Sequence, residues 1–181
     1  DAIIMAKRAV NLAGQDGLSF TLARELRLTI HGTLGFAALT SPTFADALDS
    51  VRRYLHLRVP FLSMSQSEAG DQVLVKLCTE FEVPGLYPFL AETVSATLIL
   101  LTEQLLDRED AAKHGFALED GKLPGVTVRL SAPEPPWYQR FADQLPVRFE
   151  YGQPDEMMVF PRELLEVRMR LADAEASRMA R

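Results

Sequence analysis

Two short groups of residues carry the polar and aromatic side chains that best suit the binding of a small molecule. Tyr54, His56 and Arg58 fall where a predicted helix gives way to a strand, so their side chains can turn toward a sheet. The planar guanidinium of Arg58 suits a carboxylate or a phosphate. The second group, Trp137 and Tyr138, follows a proline-rich corner and can wall a pocket. Small-molecule pockets combine apolar surface with a few oriented polar groups, and both groups have that composition.

Each group also has a purely structural interpretation. Tyr54 can close the core while Arg58 lies in solvent, and residues 132–138 can form a corner packed onto a sheet edge. A third candidate lining comprises Tyr87, Phe89 and the uncharged stretch 93–101, which suits a tunnel, a dimer seam or a plain core helix. The residues alone leave these alternatives open.

No catalytic signature accompanies these groups. The chain has no Gly-x-Ser-x-Gly elbow, phosphate-binding glycine loop, His-Glu-x-x-His motif or Cys-x-x-Cys motif. Cys78 ends an apolar strand and is expected to be a buried structural thiol. The three His lack metal-ligand spacing, so neither a metal nor another cofactor is expected. The carboxylates of residues 103–110 are expected to form a solvated helix face. A small enzyme with a dispersed site, such as Tyr54, Arg58 and Glu92, stays an alternative.

Composition places the chain among globular domains with their own core. Of 181 residues, 48% are hydrophobic and 24% are charged, which predicts one domain. Nineteen basic and 25 acidic residues give a net charge of −6, so this chain is not expected to grip nucleic acid. A single Cys excludes an intrachain disulfide and fits a reducing cytoplasm.

No membrane segment is expected, because the longest uncharged apolar run, residues 93–102, is too short to span a bilayer. Residues 1–5 do not begin a signal peptide. The given sequence begins with Asp1 and not with an initiator Met, so the chain is expected to be a piece of a longer protein.

A helix is predicted shortly after residue 40 and would hold the first group at its end. Ser41 is expected to cap this helix, with Pro42 in the first turn and Thr43 paired with Asp46 as in a capping box. The helix carries one apolar stripe, formed by Phe44, Leu48, Val51 and Leu55.

The middle of the chain predicts a hairpin and then a long helix. Residues 61–67 and 72–78 read as two strands joined by a four-residue loop, 68–71. The helix follows Gly85 and has a thin polar face, so most of it should be buried in the core or a subunit interface. Its apolar stripe is predicted to be Leu86, Leu90, Val94, Thr97, Leu98, Leu101 and Leu105.

The last third alternates between strands and short helices. Strands are predicted over residues 126–130, 147–151 and 157–160. Short helices are predicted over residues 137–145, 161–167 and 171–181. About five strands and six or seven helices, segregated along the chain, predict an α+β fold. Several helices would pack on a small, mostly antiparallel sheet.

Several segments follow one another in a distinctive order. Residues 34–48 contain a Gly-aromatic-Ala stretch, a Thr-Ser-Pro-Thr helix cap and an Asp-Ala-Leu first turn. Later segments in the same order are Arg53-Tyr54-Leu55, Pro146-Val147-Arg148-Phe149, Gly152 and Val159-Phe160-Pro161-Arg162-Glu163-Leu164-Leu165. From about residue 18 to 167, the chain resembles the arabinose-binding effector domain at the N-terminus of many bacterial AraC-type transcriptional regulators.

The resemblance implies that residues 1–170 sense a small-molecule effector and form a homodimer. Residues 171–181 would start a connector to the DNA-binding part of such regulators, a pair of helix-turn-helix units that nothing in this sequence matches. DNA would therefore be contacted only through a missing C-terminal domain. The family title does not fix the ligand. An assembly module that uses residues 93–102 as a partner surface, without a ligand, stays an alternative.

Overall fold

A single five-stranded sheet organises the fold. Its strands are β1 (Leu62–Ala69), β2 (Gln72–Thr79), β3 (Thr127–Arg129), β4 (Arg148–Glu150) and β5 (Met157–Pro161). Their order across the sheet is β1-β2-β5-β3-β4, and every pair is antiparallel except β3 with β4. This confirms the predicted α+β fold with a mostly antiparallel sheet. The computed structural model describes residues 2–13, 16–26, 32–57, 59–79 and 85–173.

Helices cover the sheet and supply the other half of the core. They are α1 (Ala2–Ala13), α2 (Leu18–Glu25), α3 (Gly32–Leu39), α4 (Phe44–Tyr54), α5 (Tyr87–Leu105), α6 (Arg108–Lys113) and α7 (Gln139–Ala142). Short 3-10 helices span Leu55–Leu57 and Arg162–Glu166. None of the helices in the described ranges is long and apolar enough to cross a membrane.

The β1–β2 hairpin turns more tightly than predicted. Glu68 and Ala69 belong to β1, where they pair with β2, so only Gly70 and Asp71 form the turn. The predicted four-residue loop is therefore wrong. Gly70 has a φ of 60°, a backbone conformation that suits two-residue hairpin turns and that glycine adopts without strain. The inward face of β2 is formed by Val73, Val75 and Leu77, all of which are buried.

Helix α4 confirms the predicted capping pair but begins later than expected. Thr43, not Ser41, is the N-cap: its hydroxyl oxygen accepts from the Asp46 backbone N–H at 3.3 Å and donates to the Asp46 carboxylate at 2.8 Å. Pro42 precedes the helix. The predicted apolar stripe is confirmed, with Val51 half-buried and the remaining members buried, namely Phe44, Leu48 and Leu55.

Helix α5 is largely buried, as predicted, but by a different face. Much of the predicted stripe is only half-buried, including Leu90, Val94 and Leu98. Its fully buried positions include small residues, among them Ala91, Ser95 and Ala96. Helix α2 packs against α5. Small side chains on a buried helix face allow a neighbouring helix to approach closely.

Two predictions about polar side chains need correction. Cys78 is only partly buried, with its Sγ 3.7 Å from the Ser65 hydroxyl. The carboxylates of residues 103–110, predicted to form a solvated helix face, include two that accept hydrogen bonds from the backbone. Asp107 caps α6 by accepting two backbone N–H bonds at 3.0 Å, and Asp110 accepts from the Arg168 backbone at 2.9 Å. These bonds tie α6 to the end of the domain.

In the last third of the chain, the strands occur in the predicted order, and several elements are shorter than predicted. All three predicted strands are present as β3, β4 and β5. The helix predicted over 137–145 contracts to α7, and the one over 161–167 is a 3-10 helix. Residues 171–173 are not helical, and the rest of the final predicted helix lies outside the described residues.

Candidate functional site

A pocket of about 330 Å³ opens where the first half of α5 meets one end of the sheet. Helix α5 forms one wall, the residues that follow β3 and β4 form the second, and the proline-rich segment 132–137 forms the third. Its lining is Pro88, Phe89, Glu92, Leu130, Ala132, Pro133, Glu134, Pro135, Pro136, Trp137 and Tyr151. The size and mostly apolar lining are those of a small-molecule pocket.

The proline-rich wall follows directly from its sequence. Pro133, Pro135 and Pro136 lack a backbone N–H and have a restricted φ, so the segment cannot extend β3 as a paired strand. The loop after β4 ties it down instead, because the Gly152 backbone N–H donates to the carbonyl of Ala132 at 2.8 Å. The segment therefore stands off the sheet edge and leaves room beside α5.

Glu92 places a buried carboxyl group in this pocket. Its side chain is only 7% exposed. The Ser19 hydroxyl from α2 donates to Oε2, and the Tyr151 hydroxyl donates to Oε1 at 2.6 Å. No Lys or Arg of the described ranges forms an ion pair with it. Burial raises the pKa of Glu92, and the two hydroxyl donors partly oppose that rise.

The hydroxyl that faces Glu92 stays protonated over the neutral pH range. Burial, followed by the negative charge of Glu92, raises the pKa of Tyr151 above its usual value. Tyr151 is therefore a permanent donor to the carboxyl group. The pairing joins α5 to the end of β4 across 59 residues of sequence.

A cluster of aromatic rings fixes Trp137 and Tyr151 from behind. Phe20, which is fully buried, packs edge-on against Trp137 at 5.6 Å and against Phe149 at 5.2 Å between ring centroids. Tyr138 packs edge-on against Tyr151 at 5.0 Å, and its hydroxyl accepts from the Phe149 backbone N–H at 3.1 Å. Such geometry stabilises aromatic pairs beyond simple burial. These contacts fix the orientation of the rings.

A second buried carboxyl group anchors the start of α5. The Tyr87 hydroxyl donates to Glu156 at 3.2 Å, and Ser131 donates to the same carboxyl group through both its hydroxyl and its backbone N–H. Burial and the Glu156 charge raise the pKa of Tyr87 above its usual value. Together with the Glu92 contacts, this arrangement holds the pocket wall of α5 at two points.

The structure distributes the predicted site residues over different places. Trp137 lines the pocket, whereas Tyr138 packs behind it and borders a separate groove that contains Arg148. Tyr54 is half-buried at the end of α4, and His56 is exposed in the 3-10 helix that follows; neither lines this pocket. Arg58 lies outside the described residues.

Sequence reasoning missed the importance of Glu92 and Tyr151 for a binding pocket. Glu92 was considered only as part of a dispersed enzyme site. A signal was available, because Glu92 is the one charged residue between positions 86 and 102 of the sequence. An isolated charge in a buried helix calls for partners from other elements. Ser19 and Tyr151 supply them from positions that no local pattern connects.

The space directly between the helices and the sheet is too small for a metabolite. A cavity of about 50 Å³ lies between α4, α5 and the sheet, lined by apolar side chains such as Leu48, Leu101 and Met158. Ligand pockets usually measure about 300 Å³ or more. In the described part of the chain, no group of three or more His, Cys, Asp or Glu could hold a metal ion.

Comparison with known proteins assigns the family. Residues 2–169 match the arabinose-binding domain of AraC transcription regulators, N-terminal, and the chain belongs to this family. It is a family of transcription-regulator domains and not an enzyme family. The chain is 28% identical over 170 residues to the ornithine utilization regulator of Pseudomonas aeruginosa, covering 93% of this chain and 46% of that protein.

A solved structure shares the fold. The crystal structure of the transcriptional regulator CdpR from Pseudomonas aeruginosa superposes with a TM-score of 0.71 at 18% identity, over 92% of this chain and 50% of that one. The chain thus spans about half the length of the relatives it matches.

Proposed function

We propose that this chain is the effector-sensing and dimerising part of an AraC-type transcription regulator. Residues 1–170 would sense the effector, and residues 171–181 would begin the connector to a C-terminal helix-turn-helix domain that contacts DNA. The family match over residues 2–169 supports this division of roles, as does the span of about half the relatives' length. The net charge of −6 supports DNA contact by another domain rather than by this one.

The effector is proposed to occupy the pocket between α5 and the proline-rich segment. The observation that carries this proposal is a mostly apolar pocket of about 330 Å³ whose aromatic wall is already ordered and which contains one buried carboxyl group. Trp137 lines it and Tyr138 supports it. One relative is named for the utilization of ornithine, a small metabolite, which favours an effector of that size. Tyr54, His56 and Arg58 stay a second proposed location.

The pocket suggests how binding would be transmitted. A ligand that touches both α5 and segment 132–137 binds most tightly to the conformer in which these walls have a particular spacing. Binding shifts the population toward that conformer only as far as the two affinities differ. Because α5 also packs against α2, the shift would alter the arrangement of these two helices as well.

A thermal-shift screen with two variants tests the location. The panel contains sugars, amino acids, amines, carboxylates and fatty acyl compounds. A ligand at hundredfold excess over its dissociation constant stabilises the fold by about 2.7 kcal/mol. We expect a shift with one class, its loss in Trp137→Phe, and its retention in His56→Ala. If only His56→Ala loses the thermal shift, the site is instead at the group formed by Tyr54, His56 and Arg58. No thermal shift with any class would overturn the sensing role.

Sedimentation velocity tests the dimerising role separately. We expect this chain to sediment as a dimer at micromolar concentration, with an equilibrium that the effector changes. A monomer at all concentrations, with and without effector, would remove dimerisation from the proposal and leave ligand sensing to be judged by the screen.

A further inference from the structure

The charges of the pocket are of one sign. Glu92 and Glu134 are the ionisable acids of its lining, and no Lys, Arg or His occurs among the described residues that line it. Glu134 is exposed at the rim, whereas Glu92 is 7% exposed and lies inside. A carboxylate or phosphate ligand would meet repulsion here without a compensating cation.

Glu92 can accept more hydrogen bonds than it receives from the protein. Each carboxylate oxygen has two acceptor positions. Oε1 receives one bond from Tyr151 and Oε2 one from Ser19, both from neutral hydroxyls. The described residues therefore orient this group, and none of their Lys or Arg side chains forms an ion pair with it. Burying a carboxylate is costly without an opposite charge, and a cationic ligand would supply that charge.

The remaining lining suits the same kind of ligand. Trp137, Tyr151 and Phe89 bring three aromatic rings to the pocket that contains Glu92. Aromatic rings attract organic cations through the negative electrostatic potential of their faces. The prolines of segment 132–137 and Leu130 add apolar surface for a hydrocarbon chain.

We propose that the pocket takes a small organic cation, an ammonium group carried on a short apolar chain, with Glu92 as its anionic partner. This inference rests on the proposed effector-sensing function and names the chemical class of the ligand. The ammonium group would lie against Glu92, and the chain would extend along Trp137 toward the proline-rich wall.

Matched probes test the class directly. Isothermal titration of this chain compares butylammonium, n-butanol and butyrate, which share one chain length and differ in charge. It is carried out at about pH 8 to 9, where ionisation of Glu92 is favoured and an alkylamine is still protonated. We expect butylammonium to bind and the other two to bind at least tenfold more weakly. Equal or tighter binding of butanol or butyrate would overturn the inference.

Two variants assign the effect to Glu92. Glu92→Gln keeps the size and the acceptor oxygen but removes the charge, so affinity for butylammonium should fall by roughly thirtyfold or more. Glu134→Gln removes an exposed charge from the same pocket and should change affinity by less than about threefold. Circular dichroism checks that both variants fold. His56→Ala, at an exposed side chain that does not line this pocket, should retain binding. Unchanged affinity in Glu92→Gln would contradict the assignment.

Proton release gives a second readout. The groups that face Glu92 are the Ser19 hydroxyl of α2 and the Tyr151 hydroxyl after β4, with Tyr138 and Glu134 farther away. Burial raises the pKa of Glu92, and a bound cation would lower it again. Titrations of butylammonium in buffers of different ionisation enthalpy, at a mildly acidic pH, should show proton release that Glu92→Gln removes. Proton uptake would contradict a cation at this site.

The failures of the two proposals are distinguishable. If butylammonium does not bind but another class of the screen does, and Trp137→Phe abolishes that binding, the cation inference falls and the sensing role stands. If no class binds, both fall.

Discussion

Replacing Tyr151 with Phe removes the hydroxyl that donates to Glu92 at 2.6 Å and leaves the aromatic ring in place. The ring keeps its edge-on contact with Tyr138, so the change isolates the hydrogen bond. Glu92 is 7% exposed, and water reaches it poorly as a replacement donor. A hydrogen bond to a charged group contributes about 1.5–3 kcal/mol. Because Ser19 still donates to the other oxygen, we expect a loss of about that amount and not the larger cost of an unpaired buried charge.

Urea unfolding at a series of pH values from about 6 to 9 measures this effect. The effect should reach its full size toward the alkaline end, where ionisation of Glu92, whose pKa burial raises, is favoured. The raised pKa of Tyr151 keeps its hydroxyl protonated over this range. A double-mutant cycle supplies the control. In a Glu92→Gln background the bond is between neutral groups, so Tyr151→Phe should cost only about 0.5–1.5 kcal/mol. An equal cost in both backgrounds, or a cost below about 0.5 kcal/mol in the wild type, would refute a charged hydrogen bond at this site.

Three further predictions concern stability. Phe20→Ala should lower the free energy of unfolding by about 3–5 kcal/mol, because it empties the centre of the aromatic cluster. Phe36→Ala removes a side chain that is 49% exposed and should change the free energy of unfolding by less than about 0.5 kcal/mol. Similar urea midpoints for the two variants would contradict the role of the cluster. Gly17→Ala should destabilise the fold far more than Gly70→Ala. Both glycines have positive φ, but an added methyl at Gly17 would overlap the ring of Phe141, whereas at Gly70 it would meet nothing within 4 Å. Thermal melts that rank the two variants the other way would contradict the described packing. The folded chain binds the Glu92 proton more tightly than the unfolded chain does, so protonated Glu92 stabilises the fold at low pH and this stabilisation is lost as pH rises through the raised pKa. Glu92→Gln should remove this component from the pH profile of the free energy of unfolding. An unchanged profile would argue against a raised pKa of Glu92.

Much of the fold was predictable because its signals are local. The Thr43–Asp46 capping pair acts over three residues, and the apolar stripe of α4 follows from helical spacing. Apolar residues alternate along β2, and the buried ones are Val73, Val75 and Leu77. The hairpin loop was predicted two residues too long, since polarity at residues 68–69 does not reveal that they still pair with β2.

The pocket was predictable only in part. Trp137 was singled out from its place after the proline-rich corner, and it does line the pocket. Ligand contact by Trp137 stays a prediction, and so does ligand contact by Tyr54, His56 and Arg58. Glu92 was visible as an isolated charge, yet its partners at positions 19 and 151 could not be inferred from spacing.

The sequence by itself determined the class of fold, the positions of the strands and of most helices along the chain, and the resemblance to a family. These features depend on interactions within a few residues and on motifs that follow one another in order. Only the tertiary structure decided which face of α5 is buried and which groups surround Glu92. Side chains that lie 73 and 59 residues from Glu92 donate to its carboxyl group, and α2 packs against α5 from a distant part of the chain. Burial depends on what comes to cover a surface, and the covering elements arrive from distant parts of the chain.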